Sequence, residues 1–239
     1  MRSFAILVLA ALSASSVALG ANESKEAQRL RNATYVVNEV MQTPENGIPR
    51  DLLDRAVCVG IVPSEKKGAF ILGGSFGRGA LVCRRGGTGP WGAPSLFTLY
   101  SGSWGFQIGG QATDIVFIVM NTGGMRKLLQ SGVKLGADAS VAAGPVGRKA
   151  EGATDVQLHA EILSYSRSRG LFAGLSLDGG VLRQDEDGNQ RLYGKAVTAK
   201  DVLIKGDVPA PAAAEPLDRI LMKYSPHGGA PFADMSQGK

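Results

Sequence analysis

The first part of the chain after residue 20 has the hydrophobic period of an amphipathic helix. Between residues 24 and 41, apolar residues recur every three or four positions: Ala27, Leu30, Ala33, Val37, Val40 and Met41. Ser24 precedes this stripe as an N-cap candidate, Glu26 follows closely, and Pro44 ends the pattern. The sequence therefore predicts a helix over residues 24–41 and a second, short helix over residues 49–55.

After residue 55 the hydrophobic period changes to that of β-strands. Short runs rich in β-branched residues alternate with turns rich in glycine and proline. The predicted strands cover residues 56–62, 69–72, 80–84, 95–100, 104–110, 115–120, 133–143, 157–166 and 171–178. Short helices are predicted over residues 125–130 and 199–204, and an exposed turn over residues 185–189. The pattern predicts an α+β fold: a mainly antiparallel, strongly curved β-sheet or partly closed barrel with an N-terminal helix and a few short helices.

The N-terminus has the pattern of a secretory signal peptide over residues 1–20. Arg2 supplies a positive charge, residues 4–12 form an apolar stretch, and the small residues that end at Gly20 offer a cleavage site. The apolar stretch is too short to span a bilayer comfortably. We therefore expect an exported protein, periplasmic or extracellular, which can lie peripherally on a membrane.

The C-terminal segment, residues 207–239, has the composition of a linker and a tail. It begins with alternating proline and alanine, which predicts a flexible segment, although the apolar residues 220–222 fit one short docked helix. The body between the two ends, residues 21–206, is predicted to be one domain.

Composition and charge exclude several classes of protein. Glycine accounts for 33 of the 239 residues, about twice the usual share of roughly 7%, but without the three-residue period of collagen. We interpret these glycines as backbone devices in a strongly curved sheet. Arg2 contributes +1 and residues 207–239 contribute −1, so the body keeps the +5 of the whole chain. This surplus favours an anionic partner, whereas no basic run is interleaved with aromatic residues as nucleic-acid binding requires.

Three motif matches lack the context that their chemistry needs. Ser75 lies in a G-x-S-x-G match, but a strand is predicted after it, His159 lies in a strand pattern and His227 in the tail. Residues 87–92 match G-x-G-x-x-G, but prolines prevent the helix that would meet a pyrophosphate. Residues 185–189 resemble a calcium loop without its glycine and bidentate glutamate. We therefore predict no catalytic residue, metal or cofactor.

The two cysteines, Cys58 and Cys83, both lie in apolar runs that predict strands. In an oxidising compartment they can form a disulfide. Two buried free thiols fit the same pattern, and the sequence leaves both possibilities open.

Four stretches in chain order resemble the SYLF-domain family. They are VPSEKKG at 62–68 with GRG at 77–79, GFQIGGQATD at 105–114, KLGADAS at 134–140 running on to AGPVGR at 143–148, and YSRSRGLFAG at 165–174. The resemblance covers roughly residues 25–205. It implies a non-enzymatic lipid-binding module whose eukaryotic relatives bind phosphoinositides and other anionic phospholipids, partly through an N-terminal amphipathic helix. Some relatives associate with actin, usually beside a Src-homology-3 domain. The signal peptide and the missing partner domain argue against actin and against a phosphoinositide as the physiological ligand.

A physical hypothesis accompanies this resemblance. Helix 24–41 would present Leu30, Val37, Val40 and Met41 to the acyl boundary of a membrane. Basic side chains would meet the phosphates: Lys25, Arg29, Arg31, Lys66, Lys67, Arg84 and Arg85. Alternatively, the stripe packs on the domain's own sheet and the basic residues are only solvated. The alternative function is an envelope structural or protein-interaction module without intrinsic lipid binding.

Overall fold

The computed structural model describes residues 23–42, 47–63, 75–101, 113–147, 159–168, 171–226 and 228. Within these ranges the chain forms an α+β domain in which helices pack on one mixed, strongly curled half-barrel sheet. The helices are α1 (Lys25–Met41), α2 (Arg50–Arg55), α3 (Thr122–Leu128), α4 (Glu186–Tyr193) and α5 (Glu215–Tyr224). The strands are β1 (Cys58–Val62), β2 (Ser75–Cys83), β3 (Ser95–Ser101), β4 (Asp114–Val119), β5 (Val133–Lys134), β6 (Val141–Ala143), β7 (Ile162–Ser168), β8 (Leu171–Gly174) and β9 (Val181–Gln184). The predicted fold class is confirmed.

Helix α1 begins where the sequence predicts. The Ser24 hydroxyl accepts a hydrogen bond from the Ala27 N–H at 3.1 Å, which satisfies one of the N–H groups that a helix start leaves free. The buried residues of α1 follow the predicted spacing: Glu26, Arg29, Leu30, Ala33, Val36, Val37 and Val40. The apolar stripe of α1 is therefore part of the core.

The sheet is antiparallel except at one edge. Its strand order is β5–β9–β3–β2–β1–β4–β7–β6, and β8 pairs with β7 beside β6. Strand β6 is parallel to β7, whereas the other pairs in the described part of the chain are antiparallel. Four of the eight pairs between the described strands join consecutive strands, as short connections favour, whereas β9 returns from late in the chain to lie between β3 and β5.

Each face of the sheet carries its own hydrophobic cluster. Successive residues of a strand point to opposite faces of the sheet. Val59 and Ile61 of β1 therefore belong to the cluster that includes α1, α2 and α5. Cys58 and Val62 belong to the cluster on the other face, which includes α3 and residues 199–208. Burying both faces explains why β1 is apolar throughout.

Helix α1 lies across the strands on the first of these faces. Near its start, Arg29 pairs with Asp185, directly after β9, and near its end Glu39 pairs with Arg167 of β7. These two strands lie on opposite sides of the sheet centre, so α1 bridges the sheet.

Helix α5 packs on α1 and completes the same cluster. Leu217 and Leu221 are buried, and the Tyr224 hydroxyl is 3.3 Å from Asn38 Oδ1 of α1. The helix that residues 220–222 suggested therefore forms, and the described part of segment 207–239 contributes to the core instead of forming a linker.

The predicted single strand over residues 133–143 is wrong, because two short strands, β5 and β6, replace it. Gly136 has a positive φ of 89°, and the Asp138 carboxylate accepts a hydrogen bond from the Lys134 N–H at 2.7 Å. This local turn competes with the strand ladder and interrupts it.

The predicted exposed turn over residues 185–189 is also wrong. Asp185 caps α4 by accepting a hydrogen bond from the Gly188 N–H at 2.9 Å. Asn189 is buried, and its side-chain oxygen accepts a hydrogen bond from the Leu96 N–H at 2.7 Å.

Strand β9, directly before this helix, was not predicted. The predicted strands over residues 69–72 and 104–110 lie outside the described residues.

Two glycines show why the sheet needs residues without side chains. A Cβ on Gly60 of β1 would collide with the ring of Phe117, and one on Gly144 would collide with the ring of Tyr165. Each ring thus occupies the space that a side chain would need, which fits the interpretation of glycine as a backbone device.

Candidate functional site

The apolar stripe of α1 does not face a membrane in this structure. Leu30, Val37 and Val40 are 0%, 4% and 2% exposed, because they pack on the sheet and on α5. The hypothesis that this stripe lies at an acyl boundary is corrected accordingly.

The basic residues predicted on α1 have three different environments. The Arg29 side chain is 4% exposed and pairs with Asp185 at 2.8 Å. Arg31 is exposed and pairs with Glu23, while Lys25 is exposed near the helix start. Of these three residues, only Lys25 is therefore exposed without an ion pair to a described residue.

Two carboxylates hold the start of α1 against α4. Burial by itself raises the pKa of Glu26, but the hydrogen bonds it accepts from Arg191 and from the backbone, together with nearby positive charge, hold that pKa below its ordinary value. Burial likewise raises the pKa of Asp185, and hydrogen bonds from Arg29 and the Gly188 N–H outweigh it. Lifting α1 off the sheet would break these pairs, which ties the helix to its domain.

Arg84 lies inside the protein instead of on a lipid-facing surface. It is 1% exposed, and its guanidinium carbon is 3.9 Å from the centroid of the Trp91 ring. Its N–H groups donate to the carbonyls of Ala56 at 3.2 Å and Ser225 at 3.1 Å. Burial lowers the pKa of Arg84, against the attraction of Asp54. The guanidinium group of Arg84 is thus bound by groups of the protein itself. It links the end of α5 to the sheet.

The next residue, Arg85, is exposed. Burial raises the pKa of Asp218 on α5, and the charge of Arg85 opposes that shift. Lys66 and Lys67 lie outside the described residues. Of the five predicted lipid-binding residues that the structure describes, Arg29 and Arg84 are buried, so these five do not form one exposed surface.

Cys58 and Cys83 form a disulfide in the structure, between the adjacent strands β1 and β2. They face each other in register, and the Arg84 N–H donates to the Val57 carbonyl at 2.8 Å. That bond identifies the cysteines as a non-hydrogen-bonded pair, in which Cα atoms approach closely; here they are 4.0 Å apart. The register decides the question that the sequence left open.

Two exposed arginines, Arg78 and Arg183, were not among the lipid-binding residues predicted from the sequence. Neither forms an ion pair with a described residue. Arg78 stands between Gly77 and Gly79, which suggested a turn, and Arg183 belongs to the unpredicted β9. The alternation of Phe76, Arg78 and Ala80 could have revealed a longer strand.

The described residues contain no assembled catalytic or metal site of the kinds weighed from the sequence. Ser75 lies within a strand and not at a strand-to-helix turn, and His159 is exposed ahead of β7. No group of three His, Cys, Asp or Glu residues in the described ranges could hold a metal ion. Among the same residues, the helices are too short or too polar to cross a bilayer.

The fold and these surfaces define an α+β domain with a curled sheet, a helix docked across it and an exposed set of basic residues. The model of the Ysc84 family, described as "Las17-binding protein actin regulator", matches residues 100–224. The chain belongs to this family, and the resemblance to SYLF domains is confirmed.

Curated relatives match most of the chain. LAS seventeen-binding protein 3 of Saccharomyces cerevisiae is 34% identical over 215 residues, which cover 87% of this chain and 46% of that protein. Protein YSC84 of the same organism is 34% identical over 203 residues, covering 84% and 42%. SH3 domain-containing YSC84-like protein 1 of Homo sapiens is 33% identical over 208 residues, covering 87% and 59%. The chain spans about half the length of the curated relatives it matches.

Proposed function

We propose that this chain is an exported, non-enzymatic lipid-binding protein that binds anionic phospholipid headgroups at a membrane surface. One observation carries the proposal: the described surface keeps exposed basic side chains without an ion pair to a described residue, among them Lys25, Arg78, Lys134 and Arg183. They belong to a body with a net charge of +5.

The expected mechanism is attraction by charge at a surface. A basic side chain near an anionic leaflet contributes about 1 kcal/mol, and its effect decays within a Debye length of about 10 Å at 0.1 M salt. Since the available cations are exposed and spread over several elements, binding should weaken as salt rises. It should also depend on lipid charge more than on headgroup identity.

Vesicle co-sedimentation tests this proposal. The purified chain, whose intact mass also shows whether residues 1–20 have been removed, is mixed with phosphatidylcholine vesicles or with vesicles that also contain phosphatidylserine. We expect binding to the anionic vesicles that decreases with ionic strength, and little binding to the neutral ones. Equal binding to both at every salt concentration would contradict the proposal.

A second candidate is a protein-interaction module of the envelope. The family description, which names Las17 binding and actin regulation, favours a protein partner. A stable complex in a pull-down with the purified chain, without any vesicle binding, would support this candidate against the first.

A further inference from the structure

The ends of β2, β3 and β9 present two rows of polar and aromatic side chains on one face of the sheet. In the first row Arg78 pairs with Thr98, and Thr98 pairs with Arg183. In the second row Phe76 pairs with Tyr100. We name these five residues the arginine–aromatic face.

This face continues the surface on which α1 lies. Ala80 follows Arg78 by two residues and Leu96 precedes Thr98 by two, so each pair shares a face of its strand. Ala80 and Leu96 are buried in the cluster with α1. One step further along the strands, Arg78 is exposed, so the face begins where the cover provided by α1 ends.

Three side chains of the face are exposed, and Phe76 and Thr98 are half-buried beside them. Tyr100 is 44% exposed, and Arg78 and Arg183 are both exposed. The guanidinium carbon of Arg183 is 5.6 Å from the Tyr100 ring centroid, and that of Arg78 is 6.0 Å from the Phe76 ring centroid. The two rings are 6.3 Å apart. Such contacts order the arginine stems while the N–H donors stay available.

Among the described residues around the face, its two arginines are the local surplus of charge. Farther along the sheet on β7, Arg167 pairs with Asp114 and Glu39, which neutralise it. Beyond β9, Lys134 lines a shallow hollow together with Asp178. The five residues of the face include no carboxylate, so a positive region lies between neighbouring regions that carry acidic groups.

We propose that the arginine–aromatic face is the surface through which the protein contacts an anionic phospholipid membrane. The inference rests on the proposed function and assigns it to one site. Arg78 and Arg183 stand two strand spacings apart, about 10 Å, which suits a plane of many phosphates better than one small anion. Guanidinium groups donate paired hydrogen bonds to phosphate oxygens. Aromatic rings beside them favour the boundary between headgroups and acyl chains.

The test compares two double variants with equal changes in charge. Arg78→Gln with Arg183→Gln removes the surplus from the face. Arg126→Gln with Lys200→Gln removes two exposed charges from elements that pack on the opposite side of the sheet. None of the four side chains is buried, so circular dichroism and thermal unfolding should match the wild type for both variants.

We expect the face variant to lose about 30-fold in partition onto phosphatidylserine-containing vesicles, or about fivefold for each arginine. The control variant should lose much less, because its charges lie on the far side of the sheet and salt screens them over about 10 Å. Arg78→Lys with Arg183→Lys should restore part of the binding, since the charge is kept while the paired hydrogen bonds of the guanidinium groups are lost.

The outcomes separate this inference from the proposed function. If the wild type prefers anionic vesicles and the face variant binds them equally well, the inference is overturned while the proposed function stands. If the wild type shows no preference for anionic vesicles, the proposed function fails and the inference fails with it. If the wild type binds poly-glutamate through this face but no vesicle, an acidic protein partner replaces the membrane.

Discussion

Leu30→Ala tests whether α1 is a core helix or a membrane-inserting helix. Leu30 is 0% exposed and belongs to the cluster between the sheet, α1 and α5. Truncating a fully buried leucine costs its transfer free energy plus that of the cavity, together about 3 kcal/mol. For a domain of this size we expect a decrease in the unfolding temperature of about 6–12 °C.

Thermal unfolding followed by circular dichroism measures this effect, with Gln28→Ala as the matched control. Gln28 lies on the same helix and is exposed, so its replacement should change the free energy of unfolding by less than about 0.5 kcal/mol. Vesicle co-sedimentation of both variants is measured at a temperature where both are folded. Each should bind anionic vesicles as the wild type does.

The opposite pattern would refute the reasoning. If Leu30→Ala unfolds at the wild-type temperature but no longer binds vesicles, Leu30 acts at the membrane and its packing on the sheet contributes little. If both properties change in Gln28→Ala as well, the helix responds to any substitution and the comparison does not support a specific core contact.

Three further predictions concern the buried charges and the disulfide. Arg84→Met removes the Arg84 donors from the buried Ala56 carbonyl and from the Ser225 hydroxyl oxygen, while the Ser225 carbonyl keeps the Trp91 donor. The variant should lower the free energy of unfolding by about 3 kcal/mol; an unchanged urea midpoint would contradict this. The pKa values of Glu26 and Asp185 are lower in the folded chain than in the unfolded chain. Their stabilisation is therefore complete above about pH 5, where both carboxyl groups are also ionised in the unfolded chain, and is lost as pH falls through the folded values. Unfolding temperatures from neutral pH to pH 3 should show this loss, and replacing both by amides should flatten the profile. Reducing the Cys58–Cys83 bond, which links residues 25 positions apart, should cost about 3.5 kcal/mol through loop entropy. Two reactive thiols in the unfolded, unreduced chain would show that no bond had formed.

Local sequence patterns were sufficient for the elements with a strong period. The stripe and cap of α1 are local properties, because hydrogen bonds three or four residues apart build a helix. The fold class followed from the number and spacing of the strands. Strand β9 and helix α4 were missed because their apolar positions are few, and Asp185 and Asn189 act through contacts with a cap and with a distant strand.

The roles of the basic residues could not be derived from the sequence. Arg84 and Arg85 are neighbours, yet one is buried and the other exposed. Arg84 is buried because the segment after α5 brings the Ser225 carbonyl and hydroxyl to its guanidinium group. No pattern near residue 84 contains this information.

The sequence by itself determined the family, the fold class, the N-terminal helix and an excess of positive charge. Only the tertiary structure decided where that charge is available. Arg78 and Arg183 are far apart in the chain and meet in one row because β3 pairs with both of their strands in a fixed register. Side-chain period and charge are local properties, whereas burial and strand register depend on which distant segments pack together.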